Sequence, residues 1–165
     1  MMIFKNRTNV AVLTTVAILT VAIQAVVVSR SEESAGQIRE GRRVISPENY
    51  PYFGLPYSPG ILTGATLYIA GHLGRHPQST ELVPGGIEAE TRQSLANIRE
   101  VLLAANMDFE NVVSVTAYIA DIREFSTFNK VYREYFPQDP PARATVQVAA
   151  LNVGAKIELQ MIAVR

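Results

Sequence analysis

The sequence predicts an α+β domain in which two helices cover one face of a mixed sheet, and three observations carry that prediction. Apolar residues recur at three- and four-residue spacing over 87–105 and again over 125–135. Short alternating or β-branched runs occupy 61–71, 112–120, 144–151 and 156–164. Clusters of Gly, Pro, Ser and Asn separate these segments. The predicted order is strand, strand, helix, strand, helix, strand, strand.

At the N-terminus, residues 9–29 carry no charge and are dominated by Ala, Val, Ile and Leu. About 20 such residues in a helix match a ~30 Å hydrocarbon layer, so 1–29 reads as a signal anchor or transmembrane helix, with the membrane as partner through 9–29. Lys5 and Arg7 before the run resemble a secretory n-region and favour an exported domain. Arg30, Arg39, Arg42 and Arg43 after it count the other way, toward a cytoplasmic-facing domain. Residues 30–43 are polar, of mixed charge and interrupted by Gly36 and Gly41, a linker that leaves 44–165 as the folded domain.

In the domain, ILTG followed by ATLYIAG predicts a hairpin turning at Gly64, with Leu67 and Ile69 on one face and Tyr68 and Ala70 on the other. Residues 74–86 are dense in turn formers and predict a loop. The helix over 87–105 gathers Ile87, Thr91, Leu95, Ile98, Leu102 and Ala105 on one face, with Glu88, Glu90, Arg92, Arg99 and Glu100 mostly elsewhere. VVSVTAYIA at 112–120 is nearly continuous in apolar character, as for a central strand covered on both faces. Asp121 and Glu124 have capping-box spacing before Phe125, Phe128, Tyr132 and Tyr135, which read as core packing. The two strands of 144–151 and 156–164 complete the sheet.

Composition excludes several classes of chemistry. The chain of 165 residues has 15 Lys+Arg, 15 Asp+Glu and no Cys, so thiol nucleophiles, disulfides and cysteine-ligated metals are ruled out. Residues 44–165 hold nine Lys/Arg against twelve Asp/Glu, without the basic stripe that a nucleic-acid partner requires. His72 and His76 suggest a metal pair, but Gly74 between them works against a shared helical face and no third ligand accompanies them.

PPARATVQV at 140–148, KIELQMIAV at 156–164, FNKVYREYFP at 128–137 and LPYSPG at 55–60 resemble the signature segments of the Rid family. These are reactive-intermediate (enamine/imine) deaminases, RidA- or YjgF-like, also labelled endoribonuclease L-PSP. The resemblance runs from about Tyr50 to Arg165 and implies a chorismate-mutase-like fold, a homotrimer with clefts between subunits, and no metal or organic cofactor. It implies hydrolysis of 2-enamino or 2-imino acids to 2-oxo acids and ammonia. A non-catalytic trimeric binder of small carboxylates is the alternative, and a ribonuclease role is opposed by the acidic domain.

Arg143, read alone, is either a surface cation stiffened by Pro140 and Pro141 or a bidentate clamp for a carboxylate. By resemblance it is the clamp for the substrate carboxylate. Glu158 lies in an apolar strand and shares a face with Lys156 and Gln160, which alone suggests a solvent-facing carboxylate. The resemblance makes it the group that orients the attacking water. Gln160 stands where many relatives carry a second glutamate. Tyr57 corresponds to a pocket-mouth tyrosine and Asn129 to an asparagine opening the second helix, although both residue types also serve structural roles. Thr145 corresponds to a position whose main chain faces the substrate nitrogen, and Gly71 to an amide donor. Ala70, Gly71 and His72 depart from the common SGQ pattern, removing a serine hydroxyl.

Overall fold

Alternation of apolar and polar residues along the strands places one buried face toward two helices. The computed structural model describes residues 41–48 and 56–165. Six strands form one sheet: β1 (Arg42–Ile45), β2 (Gly60–Thr63), β3 (Thr66–Leu73), β4 (Val112–Ile119), β5 (Ala142–Gln147) and β6 (Ile157–Val164). Their spatial order is β1-β2-β3-β6-β4-β5. All neighbours are antiparallel except β4 and β5, so the sheet is mixed. Helix α1 (Gly86–Ala104) connects β3 to β4, and α2 (Phe125–Tyr135) makes the crossover that parallel β4 and β5 require.

The predicted hairpin forms, with Gly64 at φ +56° in its turn. Leu67 and Ile69 are buried while Tyr68 is half exposed, as alternation demands. Pairing of β3 with β6 shifts between Ile69 and His72, and this bulge turns His72 into the interior. β1 is a strand that hydropathy does not announce, since its residues RRVI bury only Ile45 and its order comes from the ladder with β2.

α1 buries Ile87, Thr91, Leu95, Ile98 and Leu102 of the stripe its periodicity predicts, and Val101 beside them. Each fully buried Leu or Ile stabilises the fold by about 1.5–3 kcal/mol. Glu90 and Ser94 lie on the same buried side because each has a backbone partner. Glu90 Oε2 accepts from the Lys156 amide at 2.7 Å, and Ser94 Oγ donates to the His72 carbonyl at 2.7 Å. The helix also holds the end of β3, since Asn97 Nδ2 donates to the carbonyls of Leu73 (3.2 Å) and Arg75 (3.0 Å).

Three expectations change. The capping box at Asp121 does not form: Asp121 accepts from the Arg123 amide and caps a short 3-10 turn over Ile122–Glu124, while Glu124 ion-pairs with Lys156 at 3.2 Å. α2 therefore begins at Phe125 with no side-chain cap. β4 lies inside the sheet but is covered on one face only; Val115, Ala117 and Ile119 are buried, whereas Val113 is half exposed. The membrane assignments are withdrawn, both the transmembrane or signal-anchor helix and the exported, membrane-attached location. Among the described residues no helix is long and apolar enough to cross a bilayer. α1 is interrupted by Glu88, Glu90, Arg92, Arg99 and Glu100, and α2 has 11 residues where a span needs about 20. The span expected over 9–29 lies outside the described residues.

Candidate active site

The bulge in β3 opens a cleft at the end of that strand, with a volume of about 760 Å³. Tyr57, Gly71, Arg75, Asn97 and Glu158 are among the residues that line it. β6 delivers Glu158 opposite Leu73, beside the bulge. A Cβ at Gly71 would overlap Oε1 of Glu158, so the glycine makes room for the carboxylate against the strand. Burial raises the pKa of Glu158 above the ordinary carboxylate value, and the positive charge of Arg75 opposes that rise. A half-buried carboxylate of this kind is suited to hold and deprotonate water.

His72 packs behind this wall. Burial lowers its pKa to about 4, against a hydrogen bond to the Pro59 backbone, so the imidazole is neutral near pH 7. It fills interior space, and among the described residues no group of three His, Cys, Asp or Glu could hold a metal ion. His76 lies on the loop and on the cleft rim.

Arg143 belongs to a second cluster. Its guanidinium donates to Asn129 Oδ1 at 2.6 Å and stands 4.3 Å from the Tyr132 ring centroid and 5.0 Å from that of Phe128. The aromatic stripe of α2 is thus both core and a cation-π platform. Burial pushes the Tyr132 phenol up to about 12, so it remains neutral beside the cation. Thr145, two residues along β5, has a buried Oγ1 without a hydrogen-bond partner.

Register decides how the two clusters relate. Arg143 and Thr145 pair with Val115 and Ala117, whose side chains are buried toward the helices. Glu158 and Gln160 pair with Tyr118 and Thr116, on the opposite face. β4 lies between β5 and β6. One chain therefore brings Tyr57, Gly71 and Glu158 together, and separately Arg143, Asn129 and Thr145. Arg143 does not line the cleft that holds Glu158. Sequence reasoning missed Arg75, because 74–86 reads only as turn formers; the structure gives it a β-bridge to Leu82 and a place in the cleft wall.

Comparison with known proteins follows the same residues. A family profile described as "Endoribonuclease L-PSP" matches residues 48–165. The chain is 49% identical over 124 residues, 75% of its own length and 90% of the relative's, to 2-iminobutanoate/2-iminopropanoate deaminase of Bos taurus. It is 46% identical to the human protein of the same name, with the same coverage. Among solved structures, RidA from the Antarctic bacterium Psychrobacter superposes with a TM-score of 0.71 at 33% identity, covering 75% of this chain and all of that one. TdcF of E. coli with bound serine superposes at 0.70 and 31% identity, covering 74% of this chain and 98% of that one.

Proposed function

Because the chain belongs to the Rid (endoribonuclease L-PSP) family, we propose that it hydrolyses reactive 2-enamino and 2-imino acids to 2-oxo acids and ammonia. The observation that carries this reading is Glu158, a half-buried carboxylate in a cleft with Gly71 cleared beside it. The enamine first tautomerises to the imine. Glu158 orients a water molecule and takes its proton as the oxygen adds to C2; the C=N π pair moves to nitrogen, which receives that proton, and the hydroxyl proton follows it to nitrogen in the next step. The carbinolamine then collapses, the C–N bond breaks, ammonia leaves and the 2-oxo acid remains. No enzyme residue is acylated and no oxidation state changes.

Arg143 holds the substrate carboxylate, and its contacts with Asn129 and the α2 rings keep the guanidinium in one orientation. Tyr57 at the mouth and the Gly71 amide bind the substrate from the Glu158 side, and the Thr145 main chain from the Arg143 side. Since these groups lie on opposite faces of one sheet, the complete site joins the Arg143 cluster of one chain to the Glu158 cleft of another in a homotrimer. The exposed sheet-face residues Tyr68 and Val113 support such an interface.

The test is hydrolysis of 2-iminopropanoate and 2-iminobutanoate generated in situ. Rates well above buffer, lost in Arg143→Ala and in Glu158→Gln, are expected. Wild-type rates equal to buffer for every imino acid would leave the non-catalytic carboxylate binder in its place.

A further inference from the structure

Beyond the effect of its charge on Glu158, Arg75 has no role in the reaction as described, yet it is built into the same cleft. Its backbone is fixed twice, by the bridge to Leu82 and by Asn97 Nδ2 donating to its carbonyl at 3.0 Å. The Nε of its guanidinium is buried with no hydrogen-bond partner. Among the described residues Arg75 makes no ion pair, although Arg92, Arg99 and Arg123 all do. A buried N–H left without a partner is costly, and the half-buried guanidinium that carries it lines the cleft with its charge unpaired. Glu158 lies in the same wall but is committed to the attacking water.

We propose that Arg75 is a specificity-determining residue that receives an anionic group on the substrate side chain, so that the cleft favours 2-imino acids bearing a second carboxylate. This rests on the hydrolase reading of the cleft. With Arg143 gripping the carboxylate next to the reacting carbon, a second cation on the Glu158 side meets the far end of the molecule. Glu48 and Glu100 on the exposed rim repel anions, so the acidic group is accepted only at the guanidinium.

The experiment uses the full-length chain with 2-iminoglutarate and 2-iminobutanoate, each generated in situ by an amino-acid oxidase. The readout is the ratio of kcat/KM for the diacid over the neutral substrate. A charge-assisted contact predicts that Arg75→Met lowers this ratio about ten- to hundredfold, chiefly through KM, and that Arg75→Lys restores part of it. Arg75→Gln repeats the test should the methionine variant fold poorly. An unchanged ratio in folded Met and Gln variants overturns the assignment.

Calorimetric binding of 2-oxoglutarate against 2-oxobutanoate separates this inference from the hydrolase reading. A preference for the diacid that disappears in Arg75→Met supports the role of Arg75 even if no imino acid turns over. Equal affinity for both acids, or a preference that survives the substitution, overturns it even if hydrolysis is fast.

Discussion

Arg143 donates to Asn129 Oδ1 at 2.6 Å, tying the edge strand β5 to the first turns of α2. The bond points the guanidinium along a fixed direction while Tyr132, Phe128 and Phe125 supply the surface beneath it, at 4.3, 5.0 and 5.9 Å. A flexible cation is thereby made into an oriented fork, which lowers the ordering cost of the carboxylate binding proposed for it.

Removing that bond should act on substrate binding more than on stability. Asn129→Ala leaves the ring stack in place, so the fold survives, but the guanidinium loses its directional partner. KM for small 2-imino acids is expected to rise about tenfold, consistent with loss of about 1.4 kcal/mol, with kcat changed less. Arg143→Lys should be much worse than Asn129→Ala, because an ammonium cannot form two parallel hydrogen bonds. Steady-state kinetics on both variants, beside thermal midpoints, checks the order.

Gly71→Ala should separate activity from folding. The added Cβ would overlap Oε1 of Glu158, the far end of a flexible side chain, so the carboxylate swings aside rather than the sheet. A loss of at least about a hundredfold in kcat is expected from misplacing the group that holds the water. The thermal midpoint should move by only a few degrees. A variant with wild-type kcat would show that the carboxylate position in β6 is not what the reaction uses.

Much of this architecture is legible in the sequence because periodicity reports burial. The stripe from Ile87 to Leu102 and the alternation in KIELQMIAV need only local spacing to be read, and both elements stand as expected. Glu90 is misread for the converse reason: its charge says solvent, while its burial depends on the amide of Lys156, just before β6 and 66 residues later. The side-chain-free approach of Gly74 to its backbone is equally non-local. Arg143 and Glu158 are recognisable by family resemblance, but their placement on opposite faces depends on the register of β5 and β6 against β4. Arg75 escapes because the bridge that fixes it interrupts a loop.

The pH dependence follows from Glu158. Burial raises its pKa above the ordinary 4.5, with Arg75 opposing the change. The working form is the ionised one, so kcat/KM should climb with pH through that raised value and flatten above it. Stability should move the opposite way. A carboxyl whose folded pKa exceeds its unfolded one binds extra protons in the folded state, so stability falls as pH rises from 4.5 through the raised value and stays lower above. Glu158→Gln should therefore remove the activity limb and be at least as stable as wild type at pH 7. Glu90, shifted upward chiefly by burial, leaves part of the stability slope in that variant. Denaturant titrations at several pH values, paired with kinetics, check both signs.

The proposed division of the site between chains gives a test that neither half can pass alone. Light scattering on the wild-type protein should report three times the chain mass of 18.1 kDa. Arg143→Ala chains retain an intact Glu158 cleft, and Glu158→Gln chains retain an intact Arg143 cluster. In a trimer whose sites form between neighbours, an equal mixture refolded or co-expressed together pairs the two intact halves at about a quarter of the interfaces. Activity should return to roughly that fraction of wild type, although each variant alone is inactive. A site contained within one chain would give no recovery at any mixing ratio, because every chain would carry one damaged half. Complementation, measured against mixing ratio, thus reads the geometry directly: it peaks at equal amounts if Arg143 and Glu158 meet across an interface, and stays at the variant baseline if they do not.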